Sequence, residues 1–246
     1  MQNTSKPTEQ ELLPLTGEVS ELDYPPAITL PGDGGKFNLE GELLPYPGNT
    51  FICHIDADSA FYQSLANLQD AIRVLPHADC MAFLPQPSFH MTIFCGVSGQ
   101  PLGADGWPQG LEPNATLESI SNRWCERLDR DGESSRFSVT PSHMRSPYSI
   151  HMQAASDTDA AALLEARQRL ECLTGLVRGD LDSYQFHITL GYLVRWVSIT
   201  EAQVLVGRTN QLFDEYLADQ EPIELGPIEF CKFDHMHRFT PLRVLG

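Results

Sequence analysis

Apolar positions along the chain switch between strand alternation and helical spacing. Residues 51–56 combine β-branched and aromatic side chains before an Asp-Ala-Asp-Ser turn, which predicts a strand. Phe61, Leu65, Leu68 and Ile72 then recur at helical spacing, which predicts a helix to about residue 74, capped by Ser59 and ended by Pro76. Short strands are expected over 81–84 and 89–95, on either side of Pro85-Gln-Pro87. The pattern continues as a Gly/Pro-rich loop (96–113), a helix (115–128), strands over 136–145 and 148–154, and a helix (157–173). A long strand over 184–197, a helix over 200–217 with Thr200 as its candidate cap, and paired terminal strands complete it. Residues 1–35 are polar and rich in Pro and Gly, with six acidic residues against Lys6, a net charge of −5. They read as a solvated tail or embracing arm, with the folded part beginning near Lys36.

An internal repeat organises these elements. Shifted by 97 positions, Ile52-Cys-His54-Ile-Asp-Ala-Asp-Ser59 lies over Ser149-Ile-His151-Met-Gln-Ala-Ala-Ser156. The same shift brings Phe89-His-Met-Thr-Ile93 over Phe186-His-Ile-Thr-Leu190, since 187 − 90 and 151 − 54 both equal 97. Each half reads as a strand with His, a helix, a turn, and a strand with His-x-Thr. The expected architecture is α+β and bilobal, with two lobes of antiparallel sheet and helices related by a pseudo-two-fold axis around a central cleft. Ser59 and Ser156 read as helix caps; no Gly-x-Ser-x-Gly elbow surrounds them.

Residues two apart on a strand share a face, so His90 points with Thr92 and His187 with Thr189, away from their apolar neighbours. Two such strands would bring four polar groups to one cleft, a set suited to phosphodiester hydrolysis. Near neutral pH imidazole can take a proton from water and imidazolium can give one to a departing alkoxide. In-line displacement wants one histidine on each side of phosphorus, and hydroxyls can hold the non-bridging oxygens. The pair itself supplies acid and base, so neither metal nor cofactor is called for.

The paired motifs resemble the His-x-Thr/Ser motifs of the two-histidine (2H) phosphoesterase superfamily, and of a branch without an assigned substrate. That superfamily includes nucleotide cyclic phosphodiesterases, RNA 2′–5′ ligase-like proteins and an RNA-trimming exonuclease, and the resemblance covers residues 36–246. It implies that His90 and His187 are the acid/base pair and that Thr92 and Thr189 donate to phosphate oxygens. It also implies a substrate-facing aromatic at Tyr192, five after His187, where the first motif has Cys95. His54 and His151, at matched positions, could line the cleft, orient the catalytic rings, or serve as hydrogen-bonded sheet residues. Tyr148, Arg145 and Arg238 could complement a phosphate. The expected reaction is opening of a 2′,3′-cyclic phosphate or another small cyclic phosphodiester. The alternatives are cleavage or ligation of 2′–5′ or 3′–5′ linkages at an RNA end, and a non-catalytic nucleotide-binding module.

Charge narrows the choice. With 33 acidic and 16 basic residues the net charge is −17, which disfavours a long nucleic acid but leaves a small nucleotide or a single RNA end. The six scattered cysteines fit free thiols in a reducing compartment. No basic segment followed by an apolar run opens the chain, and no apolar run approaches about 18 residues, so a cytoplasmic protein without membrane partners is expected. His235-Met-His237, read as one strand face, offers two zinc ligands without a spaced third. The pattern specifies no oligomeric state.

Overall fold

The computed structural model describes residues 7–28, 34–104, 106–129 and 136–245. Its first element is a helix, α1 (Glu9–Thr16), inside the segment expected to be a solvated tail. Thr8 and Glu11 form a capping box, and Leu12 and Leu15 are buried at 4% and 2% exposure. Averaged polarity hid this: two leucines three apart give one narrow apolar stripe, enough to dock a two-turn helix. The expectations for residues 1–6 and 29–33 concern positions outside the described ones.

The chain then forms β1 (Gly48–His54), α2 (Ala60–Arg73), β2 (Met81–Phe83), β3 (His90–Ser98), α3 (Leu117–Leu128), β4 (Ser138–Ser146), β5 (Ser149–Ala154) and α4 (Asp157–Thr174). Ser59 and Ser156 cap α2 and α4, their hydroxyls accepting from the N–H groups of Tyr62 and Asp159. The long strand expected over 184–197 instead breaks at Leu190 into β6 (His187–Thr189) and β7 (Gly191–Leu193). The two pieces have different partners, β6 lying between β3 and β5 while β7 pairs with β2. Gly191 permits this divergence, because a Cβ there would come within 2.8 Å of the Ala82 carbonyl oxygen. Helix α5 (Ile199–Tyr216) starts from Ser198, not Thr200, since Ser198 and Glu201 complete a capping box. α1 rests on α5, and the Leu15 carbonyl accepts from Val197 N–H. Strands β8 (Ile223–Glu224), β9 (Ile228–Phe233) and β10 (Thr240–Leu245) follow.

Eight strands form one antiparallel sheet in the order β10-β9-β1-β3-β6-β5-β4-β8. The two expected lobes are its halves, β10-β9-β1-β3 and β6-β5-β4-β8, joined edge to edge through β3 and β6. The register is alike in the two halves: His54 pairs with His90 on one side and His151 with His187 on the other. The core packs on the opposite face from the motif histidines. It includes an aromatic group in which Phe51 stacks on Phe230 at 4.7 Å and Trp124 adjoins both.

One irregularity shapes the centre. Ile52 pairs with Thr92 but Phe51 pairs with Phe94, leaving Ile93 as the extra residue of a bulge. The bulge reverses the alternation, so Ile93 and Phe94 are both buried and Cys95 is exposed. The Ile93 carbonyl accepts from the Arg167 guanidinium of α4 at 2.7 Å.

Candidate active site

Met91 pairs with Ile188 across β3 and β6. In an antiparallel register positions with a constant sum face one another, here 91 + 188 = 279. His90 therefore lies opposite Thr189, and Thr92 opposite His187. Met91 and Ile188 are fully buried, while the two histidines and two threonines are partly exposed on the other face. Strand spacing of about 4.8 Å and two-residue steps of about 6.7 Å place the histidine positions on one diagonal, about 8 Å apart, with the threonines on the other.

Both rings are held alike. His90 Nδ1 lies 2.7 Å from the Ser88 carbonyl oxygen, and His187 Nδ1 lies 2.8 Å from that of Gln185. A carbonyl only accepts, so each Nδ1 carries a proton and donates it, leaving Nε2 with its lone pair. Burial pushes the His90 pKa down to about 4, partly opposed by the Ser88 carbonyl, with His54 and His187 adding to the depression. Burial also lowers His187, opposed by the Gln185 carbonyl and reinforced by Arg145, His151 and Lys36.

The matched histidines have different partners. His54 Nδ1 lies 2.5 Å from a Glu229 carboxylate oxygen, and its ring is 6.3 Å from that of His90. His151 contacts Ser142 through Nδ1 and Gln185 through Nε2, and stacks on His143 at 4.7 Å. Each adjoins a motif histidine, and one carboxylate, Glu229, breaks the symmetry between them. Tyr148 lies in the turn between β4 and β5, packed against the main core, and its carbonyl accepts from Leu190 N–H. Arg145 and Arg238 are exposed, and Arg145 acts electrostatically on both His187 and His151.

A recess of about 160 Å³ opens beside His90 and Thr92, lined also by Lys36, Tyr46, Cys95, Tyr192 and Phe239. Tyr192 thus reaches the site, as does Cys95, which the bulge turns to this face. The Phe239 ring is 4.4 Å from that of His90. A larger cavity, about 460 Å³, extends from His151, Tyr184 and Gln185. Sequence reasoning missed Lys36, Tyr46, Phe239 and Glu229. Alternation along Glu229-Phe230-Cys231 could have put Glu229 on the wet face, but only the β1–β9 pairing brings it to His54.

Among the described residues one trio has clustered metal-ligand atoms: His54, Glu229 and Cys231, all within 4.8 Å of one another. The 2.5 Å Nδ1–Oε2 distance is that of a hydrogen bond, shorter than the roughly 3.3 Å between two ligands of one tetrahedral ion. Burial and Glu229 both raise the Cys231 pKa, which keeps the thiol protonated. The trio is a His–carboxylate pair beside a thiol. His235 and His237 sit in the β9–β10 turn and not on a strand face; the His237 N–H donates to His235 Nδ1.

Residues 36–146 match the family described as 2H-phosphodiest, a domain of unknown function (DUF1868). The match contains the first His-x-Thr strand, and the second stands beside it in register. The matched segment is similar to that family over somewhat less than half of the chain. The chain is similar throughout to a conserved protein of unknown function from Agrobacterium tumefaciens. That crystal structure superposes with a TM-score of 0.83 at 27% identity, over 98% of this chain and 100% of that one. A crystal structure described as a phosphoesterase gives a TM-score of 0.49 at 9% identity, over 81% of this chain and 97% of that one. Uncharacterized protein 127L of Invertebrate iridescent virus 6 is 30% identical over 96 residues, 38% of this chain and 37% of the viral protein. Among the described residues no helix is long and apolar enough to cross a membrane.

Proposed function

We propose that the protein hydrolyses a 2′,3′-cyclic phosphate, or a similar small cyclic phosphodiester, to a monoester by metal-independent two-histidine catalysis. The diagonal of His90 and His187, each with Nδ1 tied to a carbonyl and Nε2 free, carries this reading. A phosphoryl group between them has one imidazole on the side of attack and the other on the side of departure. His90, the more strongly depressed, serves as base. Its Nε2 takes a proton from water as the oxygen attacks phosphorus, and His187 protonates the leaving ribose oxygen as the P–O bond breaks. Thr92 and Thr189 donate to the non-bridging oxygens.

The test is a panel of 2′,3′-cyclic mononucleotides in excess EDTA, with wild type, His90→Ala and His187→Ala. The expected outcome is wild-type turnover that falls by about 10²-fold or more in each variant. Turnover abolished by chelation, or surviving both substitutions, overturns the mechanism. The second reading is a phosphodiester joining two nucleotides at an RNA end, for which Arg145, exposed and acting on His187, is a cation outside the recess. A dinucleotide cleaved in preference to a cyclic mononucleotide would select it.

A further inference from the structure

The proposed chemistry does not use Lys36, whose ammonium lies deep in the recess beside His90 and Thr92. The segment that carries it is anchored on both sides. Gly34 has a φ of +74°, and a Cβ there would sit 1.8 Å from the Gln100 carbonyl oxygen, so only glycine fits. Phe37, 1% exposed, packs with Ile28, Leu84, Val194 and Phe233 and makes backbone bridges to Ile28 and Leu43. With Phe37 turned into that cluster, Lys36 turns the other way, into the recess. Its Nζ stands 4.7 Å from the Tyr192 ring centre and 5.4 Å from that of Tyr46.

Burial by itself disfavours the charge here, and the two tyrosines offset it, so that the pKa stays above the ordinary lysine value. Removing an ammonium from water is unfavourable unless other groups compensate. Among the described residues no carboxylate forms an ion pair with Lys36, although the chain carries 33 acidic residues. An anion entering the recess meets this ammonium beside His90 and Thr92, on one side of the proposed phosphoryl position.

We propose that Lys36 is a phosphate anchor of this site, its ammonium gripping a non-bridging oxygen of a phosphomonoester or phosphodiester while Tyr46 and Tyr192 hold it in place. The role rests on the two-histidine reading for its catalytic meaning, but its anion binding stands independently. An anchor at this point also holds the charge that accumulates on the phosphoryl oxygens during displacement.

The experiment titrates inorganic phosphate into wild type, Lys36→Met and Lys36→Arg, following both melting temperature and calorimetric affinity, and assays the three on cyclic nucleotides. Phosphate should raise the wild-type melting temperature. Lys36→Met should bind phosphate at least about tenfold more weakly, and Lys36→Arg should keep most of the affinity. Without ligand, Lys36→Met should melt no lower than wild type, because an apolar chain of similar length keeps the contacts with Tyr46 and Tyr192 and has no carboxylate partner to lose. A merely structural lysine would give the opposite. The anchor is refuted if wild type binds no phosphate, if Lys36→Met binds it as wild type does, or if Lys36→Met turns over substrate unimpaired. Phosphate binding through Lys36 without turnover of any cyclic nucleotide upholds the anchor and refutes the cyclic-phosphodiesterase reading.

Discussion

His90 and His187 share their carbonyl ties but not their surroundings, and the difference is measurable. If His187 protonates the leaving oxygen, a leaving group that needs no proton bypasses it. A p-nitrophenyl phosphodiester should restore most activity to His187→Ala and almost none to His90→Ala; equal rescue of both would reverse or dissolve the assignment. Depression of both imidazoles also moves the pH profile. The acid must be protonated and the base neutral in the free protein, so the bell of kcat/KM should centre below pH 6.5, that of an ordinary imidazole. Stability carries the same sign. His90 binds its proton near pH 4 in the fold and near 6.5 when unfolded. The unfolded chain therefore takes up more protons in between, and stability falls as pH drops from 6.5 towards 4. Urea midpoints across that window should show a shallower decline in His90→Gln than in wild type; identical slopes would argue against a depressed His90.

Individual elements hold these residues in register. The bulge at Ile93 turns Cys95 towards the recess and leaves a carbonyl that a regular ladder would have used. Arg167, 2% exposed, reaches from α4 in the second half of the repeat to take that carbonyl, and donates through Nε to Leu181. Its ring contact with Tyr184, 4.2 Å, steadies the segment leading to His187. Arg167→Met should strand buried carbonyls and cost about 3 kcal/mol, read as a lower urea midpoint with an unchanged m-value. Activity should fall at temperatures where the variant is still folded, because β3 and the approach to β6 lose a shared tie. Full activity with reduced stability would confine Arg167 to packing.

Across the whole molecule, a net charge of −17 surrounds a site with Lys36 inside it and Arg145 acting on its second histidine. Long-range repulsion and local attraction then work on different substrates. A cyclic mononucleotide meets mainly the local cations, whereas a long single strand also meets the acidic surface. Lengthening RNA upstream of the same terminal cyclic phosphate should leave kcat/KM unchanged or lower it, and the penalty should shrink between about 0.02 and 0.2 M salt as screening takes hold. Affinity that rises with strand length would reveal a cationic track and favour RNA as substrate.

Much of this was written locally. Helical spacing placed α2 and α4, and serine hydroxyls marked their starts, because caps and apolar stripes depend on neighbours within one turn. Alternation alone put His90 with Thr92 and His187 with Thr189 on polar faces. Alternation says nothing about which strand lies next to which. The β3–β6 pairing that crosses the two motifs, the Glu229 carboxylate reaching His54, and Lys36 entering from outside the sheet all join residues far apart in the chain. The break at Leu190 and the docking of α1 belong with them, since in each the partner's surface outweighs a weak local preference. The sequence therefore determined most of the elements and which polar residues share a strand face. Tertiary structure decided the neighbours, the tautomers and the depressed imidazoles, because register, carbonyl contacts and desolvation exist only once distant strands are side by side.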